Sequence, residues 1–485
     1  MTTAFEELQA GLVERHRGRS LSEIDAGTIV VIPAITYPPA ELVKITGIAY
    51  YEERMLFTLL LLRNPDVRVV YVTCLPIDSA IIDYYLSFIG VTRVEVFQRL
   101  HLLSVGDGRP LSLAQKLLEN PDVLDAMSAA IGDRDNAYIL PFNVTQLERR
   151  VAEHLGVPIW GPHPGDAWLG SKSGGRQVAR TAGVPVFEGA EDLRSTTEIY
   201  EAIARIRAAR PESDAVVIKL NNGFSGQGNA IVELSGLGSQ LELARTTFCG
   251  VGETWSSFAP KIPTEGAIVE ELRRANDLCS PSVQMRIAPG GAFEVVSTHD
   301  QILGAPDGQV YLGCRFPAHE DYRLAIQEAA IRITEVLADA GVFGAFGMDF
   351  VVVPGEPPYL SEINLRAGGT THPFLMAKLA TAGRYEHATG ELVAEGRARA
   401  YVSTDNLKSQ DYVGLAPAEV IEAVRVAGAG YDHARRRGVT LHLLGSLTSL
   451  GKLGLTSIAG SHKEAAALQR DAIAAIDALA AERRS

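Results

Sequence analysis

Within Phe346–Arg366 (FGMDFVVVPGEPPYLSEINLR), two strand-like runs flank the turn residues Pro354, Gly355, Glu356 and Pro357. If Val353 faces Pro358 across that turn, counting outward sets Asp349 directly opposite Glu362, on one face of the pair. Directly opposed carboxylates repel, so a hairpin with only a structural role gains nothing from them. A bridging divalent cation reverses the sign of that interaction. Asn364 follows Glu362 by two residues and points the same way, adding an amide oxygen; Arg366 follows after another two, a fixed cation aimed at the same place. Carboxylates with an amide oxygen are hard ligands suited to Mg²⁺, which leaves part of its shell to water and substrate phosphates. The plain alternative is a solvent-facing strand carrying ordinary charges.

A second group of candidates lies upstream. Lys219 interrupts the apolar run Ala215–Leu220 one residue before its end. The chain then opens into Asn221, Asn222, Gly223, Phe224, Ser225, Gly226, Gln227 and Gly228 before a new strand at Asn229. A glycine-rich loop lets backbone N–H groups approach phosphate oxygens, and the lysine supplies a matching point charge. Such loops also serve merely as connections. Gly165–Ser173 imitates a GxxxxGK[ST] phosphate loop, but an extra serine before Lys172 misplaces the lysine relative to the cradle. Lys172 instead opens a helix that reaches Thr181 and is closed by Gly183-Val184-Pro185. His299, Asp300 and Gln301 end a strand-like run, and either line an acceptor pocket or satisfy a local turn. Arg286 and Arg315 are read as ligands for a substrate carboxylate or as partners in surface ion pairs. Gly368, Gly369, Thr370 and Thr371 offer donors for an oxyanion, with His372 beside them.

The elements that must position these residues follow from the apolar pattern. In the first third, short runs at Thr28–Ala34, Val67–Thr73, Arg93–Phe97 and Ala137–Pro141 alternate with helical stretches such as Tyr51–Leu62 and Ser79–Phe88, which predicts a parallel α/β sheet over residues 1–164. From Gly165 the strands pair through turns: Ala215–Leu220 with Asn229–Glu233, Ala267–Leu272 with Ser282–Ile287, and Phe346–Val353 with Tyr359–Leu365. That texture predicts an α+β domain over 165–390, with a lid subdomain at about 185–265. Glu391–Gln410 is polar with little periodicity and reads as a boundary; a small domain over 391–485 follows, with the Gly/Ser/Leu run His442–Gly460 and the alanine-rich helix Lys463–Glu482.

Composition narrows the partners. The 485 residues are 46% hydrophobic and carry 45 basic against 58 acidic side chains, a net charge of −13. Nucleic acid or an anionic membrane as main partner needs clustered basic charge, so both are excluded as expectations. No run reaches the roughly 18 apolar residues of a membrane span. The acidic N-terminal stretch does not suit export, and four cysteines without metal-type spacing suit a reduced, cytoplasmic protein.

Taken in order, these motifs resemble the ATP-grasp superfamily of carboxylate–amine ligases: a lysine before a helix ending in G-V-P, a strand lysine entering a glycine loop, the acid strand Ala267–Leu272, and D…ExNxR. The run Glu362–Pro373 is similar to the branch of pheganomycin-type peptide ligases, which carries a pre-ATP-grasp N-terminal domain and a small C-terminal domain. The resemblance implies two α+β subdomains clasping ATP. It implies that Lys172 and Lys219 contact the phosphates and that the loop Gly223, Ser225, Gly226, Gln227 and Gly228 closes over them. Glu270 and the backbone of Glu271, Leu272 and Arg273 would read adenine, and Asp277 is the nearest acid for the ribose. Asp349, Glu362 and Asn364 would hold Mg²⁺ (or Mn²⁺ in its place), while Arg366 clamps the transferring phosphoryl group. The implied reaction activates a carboxylate as an acyl phosphate and joins it to an amine, amino acid or peptide, in a protein that assembles as a homodimer. A kinase with a hydroxyl acceptor and a non-catalytic nucleotide-binding regulator are the alternatives.

Overall fold

The computed structural model describes residues 3–17, 27–223, 228–234, 246–250, 252–274, 277–304 and 310–484. The fold is mixed α/β and α+β, with three sheets. The first is parallel, in the order β3-β2-β1-β4, from β1 (Gly27–Ile32), β2 (Val67–Thr73), β3 (Leu100–Ser104) and β4 (Ala137–Pro141). From Thr28 onward every residue of β1 is buried, as expected for a strand covered on both faces. The run Arg93–Phe97 is not a strand: Arg93–Val96 is a helical turn, closed by a capping box between Thr92 and Glu95, and Val94 and Phe97 are exposed. The strand of that region is β3, immediately downstream.

The second sheet, antiparallel, runs β5-β9-β6-β7-β8, from β5 (Gly189–Leu193), β6 (Ala215–Leu220), β7 (Asn229–Glu233), β8 (Thr246–Phe248) and β9 (Ala267–Glu271). β6 and β7 pair as expected, with Lys219 facing Asn229. The pairing of Ala267–Leu272 with Ser282–Ile287 does not form. β9 instead lies between β5 and β6, both distant in sequence, and every one of its residues is buried.

The third sheet holds β10 (Pro281–Ile287), β11 (Phe293–Gly304), β12 (Val310–Phe316), β13 (Gly344–Val351), β14 (Tyr359–Asn364), β15 (Arg384–Glu386), β16 (Glu391–Ala394) and β17 (Arg397–Lys408) in the order β14-β13-β10-β11-β12-β17-β16-β15. β18 (Gly438–His442) and β19 (Lys452–Ala459) join it through β17. The polar stretch Glu391–Gln410 is therefore no linker. Its strand β17 pairs with both β12 and β19, and a register shift between Thr404 and Leu407 breaks the alternation that would have marked it. In the His442–Gly460 segment Leu443, Leu444, Leu447, Leu453 and Leu455 are buried, while Leu450 is half-buried.

Asp349 does lie opposite Glu362. The route to that register differs from a simple count from the turn: Val351 faces Tyr359 and Phe350 faces Leu360, and a bulge at Ser361 restores the expected pairing. The helix Lys172–Thr181 packs over β14 with little clearance. A Cβ on Gly174 would sit 1.9 Å from the Trp168 carbonyl oxygen, so that position accepts only glycine.

Candidate active site

The acid hairpin is the centre of a polar cluster. Gln301 Nε2 donates to Asp349 Oδ1 at 2.6 Å, and Asn364 Nδ2 donates to Asp349 Oδ2 at 3.0 Å. Lys172 Nζ lies 2.9 Å from Glu362 Oε1 and donates to the Gly223 carbonyl at 3.0 Å. Burial, and then the charge of Glu362, push the Asp349 carboxyl above the usual range, against the pull of Arg366 and Lys172. Burial alone would raise Glu362 as well, but Lys172, with Arg366 and Lys219 behind it, outweighs burial and holds it below its ordinary value. Arg366 stays charged: Tyr37 Oη, the Asn364 side-chain oxygen and the Ala367 carbonyl accept from its guanidinium at 3.1, 2.8 and 3.0 Å. Two half-buried carboxylates facing each other, together with an amide oxygen, form a donor set that fits Mg²⁺.

Lys219 belongs to the same region. Its Nζ sits 2.5 Å from Glu270 Oε1 and 3.3 Å from the Ser361 hydroxyl, the bulged residue of β14. The other oxygen of Glu270 accepts from Arg176 Nη1 at 2.7 Å. The Glu270 carboxylate is thus held by two cations, one on each oxygen, at the wall of the cleft described below. Arg176 is 2% exposed and also pairs with Glu191 at 2.6 Å and donates to the Phe187 carbonyl. It was not singled out from the sequence, although Lys172, Arg176 and Arg180 recur at four-residue spacing on one helix stripe, which is a legible signal. Arg180 meets Glu191 as well.

One cleft of about 1740 Å³ collects most of the candidates. Asp349, Glu362, Asn364 and Arg366 line it together with Lys219 and Gln301. Glu270, Glu271, Leu272, Arg273 and Asp277 form another part of its wall, and Asp300, Arg315, Gly369 and Thr370 a third. Asp300 is already engaged, accepting from the Tyr322 hydroxyl and the His319 amide. Gly369 is pressed against Tyr311, where a Cβ would lie 2.6 Å from the ring. Ser225, Gly226 and Gln227 lie outside the described residues; Gly223 and Gly228 frame them, and the Gly228 carbonyl accepts from the Leu220 amide.

Among the described candidates seven do not line the cleft: Lys172, Gly223 and Gly228 lie beside it, Lys172 through its contact with Glu362, and Arg286, His299, Thr371 and His372 are engaged elsewhere. Arg286 pairs with Glu294, its cross-strand neighbour on β11, at 2.7 Å. His299 is fully buried 2.6 Å from the Tyr401 hydroxyl, and burial lowers its pKa to about 3, so it is a neutral core residue. The Thr371 hydroxyl accepts from the Gly368 amide and donates to Gln284. His372 is buried with His442 around Asp405, at 3.2 and 2.7 Å from the same carboxylate oxygen, while Arg54 Nη2 holds the other oxygen at 2.5 Å. That hub joins four separate segments and had no sequence signal, since its members are more than 30 residues apart.

Comparison with known proteins bears on the family and the fold. Residues 242–356 match the family model described as IQCH-like, ATP-grasp, and residues 419–472 match the PGM1 C-terminal domain. The L-propargylglycine–L-glutamate ligase of Streptantibioticus cattleyicolor is 33% identical over 476 residues, spanning 96% of this chain and 97% of its own. Among solved structures, the biotin carboxylase–β,γ-ATP complex from Campylobacter jejuni superposes with a TM-score of 0.57 at 16% identity, over 92% of this chain and 90% of that one. The biotin carboxylase domain dimer of Hydrogenobacter thermophilus 2-oxoglutarate carboxylase, in complex with MgADP, ADP and bicarbonate, gives 0.54 at 13% identity, over 92% and 89%.

Proposed function

The chain belongs to the ATP-grasp carboxylate–amine ligases of the pheganomycin type, and on that premise we propose which of its residues carry the reaction and on what substrates. It is an ATP-dependent ligase that uses ATP and Mg²⁺ to activate a small-molecule carboxylate as an acyl phosphate, joins it to an amine, and releases ADP and phosphate. The observation that carries the assignment of roles is the convergence of the opposed pair Asp349 and Glu362 with Lys172, Lys219 and Arg366.

A carboxylate and an amine do not condense at neutral pH without activation, and the chain's part is to place and neutralise charge. Lys172 and Lys219 are buried point charges for the phosphates, each now resting on a carboxylate that the nucleotide's anionic oxygens can replace. Arg176 keeps Glu270 in place when Lys219 turns to the nucleotide. Asp349, Glu362 and Asn364 would hold Mg²⁺, which when bound would neutralise charge spread over the phosphoryl oxygens. Arg366, fixed by Tyr37 and Asn364, faces the transferring group, and the backbone at Gly369 and Thr370 faces the tetrahedral oxyanion. Adenine recognition falls to the backbone of Glu271, Leu272 and Arg273, with Asp277 on the same wall for the ribose.

The named relative joins two amino acids, which makes an α-amino acid pair the substrate class for this chain, with L-glutamate the first compound to try. A cytoplasmic location fits four unbridged cysteines, and no helix among the described residues is long and apolar enough to cross a membrane. A homodimer is the assembly we expect, the state in which the 2-oxoglutarate carboxylase domain was solved. The test is ADP release over pairs of L-amino acids, with the product identified by mass. A dipeptide-sized amide formed in step with ADP supports the reading, and a stable phosphoester product would contradict it.

A further inference from the structure

The cleft has a second pole, built where the first sheet's connecting helix meets the C-terminal strands. Lys408 and Lys452 are direct partners across β17 and β19, so both side chains rise from one face of the sheet, and both line the cleft. Like charges directly opposite each other weaken a strand pair. Among the described residues neither lysine has an acidic partner, although the chain carries 58 acids against 45 basic residues. The neighbouring cation Arg54 is already committed to Asp405. Lys452 is held in place rather than neutralised: its Nζ donates to the Tyr51 hydroxyl at 2.8 Å and lies 4.9 Å from the centre of that ring, which also carries the Arg54 guanidinium at 4.3 Å. The amide of Asn406, next but one to Lys408, lines the same wall.

This arrangement mirrors the acid hairpin with the sign reversed, and the same argument applies: two facing charges of one sign become favourable when an ion of the opposite sign lies between them. The reaction supplies such an ion. When two amino acids are joined, the α-carboxylate of the amine partner does not react and stays anionic. It must enter a cleft whose other pole is two carboxylates. Four strand spacings separate β13 from β17 in the sheet order, about 19 Å along the sheet before lysine side chains reach back. That span has room for an acyl phosphate and an amino acid between the poles.

We propose that Lys408 and Lys452 bind the unreacted carboxylate of the amine substrate, and that the acceptor is therefore an α-amino acid with its carboxylate free, not an amide, ester or simple amine. This rests on the ligase reading and adds the acceptor's chemical class to it. The binding mode is charge-assisted and bidentate in effect, one lysine to each carboxylate oxygen.

The experiment is calorimetric titration of the full chain, loaded with Mg²⁺ and a non-hydrolysable ATP analogue, with the twenty proteinogenic L-amino acids and their α-amides. At least one free acid binds about tenfold or more tighter than its amide. In the double variant Lys408→Met/Lys452→Met that preference falls to within about twofold of unity, with the thermal midpoint and nucleotide affinity retained; Lys408→Arg/Lys452→Arg keeps the preference. Equal binding of acid and amide by the wild type, an undiminished preference in the methionine variant, or no binding by any of the free acids overturns the proposal. ADP release measured on the same pairs separates the two readings: a charge-dependent preference with no ADP formed with any partner contradicts the ligase reading and leaves the carboxylate site standing.

Discussion

Asp349 and Glu362 have the same chemistry and nearly the same burial, yet they are held differently, because only Glu362 has a lysine on it. With Asp349 as the proposed ligand, Mg²⁺ would displace the proton that burial and Glu362 favour there, and metal affinity should rise with pH until that proton is gone. Calorimetry in two buffers of different ionisation enthalpy should show proton release on Mg²⁺ binding that vanishes at alkaline pH. Replacing Glu362 with Gln removes a ligand charge and frees Lys172 from its partner. ADP formation at limiting Mg²⁺ should fall by orders of magnitude while circular dichroism is unchanged, and wild-type turnover would remove the metal assignment. Arg176 makes a different kind of contribution. It is buried between Glu270 and Glu191, and Arg176→Met leaves Glu270 with Lys219 alone in a dry site. Breaking such a pair costs about 3–5 kcal/mol, which denaturant unfolding would read directly.

At the scale of elements, the helix Lys172–Thr181 and the hairpin β13–β14 are one device: Gly174 lets the helix start close against the Trp168 carbonyl, and the helix's basic stripe meets the acids of two sheets. Gly174→Ala places a Cβ against the Trp168 carbonyl, should cost about 1–3 kcal/mol, and should raise KM for ATP by moving Lys172. What was legible in the sequence divides along physical lines. Local pairings could be read, as Ala215–Leu220 with Asn229–Glu233, and across the short turn Asp349 could be counted opposite Glu362, only because the bulge at Ser361 offsets the turn's own register. Non-local pairings could not. Nothing in Ala267–Leu272 says that its neighbours are β5 and β6, and the bulge in β17 hid a long central strand behind a polar, aperiodic run. Arg93–Phe97 had a readable signal for helix, the Thr92–Glu95 capping box, which outweighs a short apolar run. Among site residues, motif members were legible, whereas Tyr37, Asp405 and His442 act through contacts made only in the folded chain.

Taken as a whole, the molecule ties its first sheet to its last strands through buried charge. Both oxygens of Glu53, on the helix Ile48–Arg63, accept from the Gly445 amide at 3.0 Å. Burial pushes the Glu53 pKa up to about 8, so its contribution to stability is full below the unfolded value of about 4.3 and is lost as pH rises through 8. The thermal midpoint should decline between pH 6 and pH 9, and Glu53→Gln, neutral throughout, should flatten that slope. Asp405 runs the other way. Arg54 and the two histidines, against burial, hold its carboxyl well below the ordinary value, so its contribution exists above the unfolded pKa and is lost as pH falls through the folded one. Asp405→Asn should therefore lower the denaturant midpoint at pH 7 by more than at pH 3. The cleft of this chain of net charge −13 has an acidic pole and a basic pole, and the chemistry it performs can be followed by one label. With the carboxylate substrate enriched in ¹⁸O, turnover with ATP and the amine should transfer one ¹⁸O into the released phosphate for each amide formed; phosphate free of label, with product still accumulating, would contradict an acyl phosphate and with it the central claim.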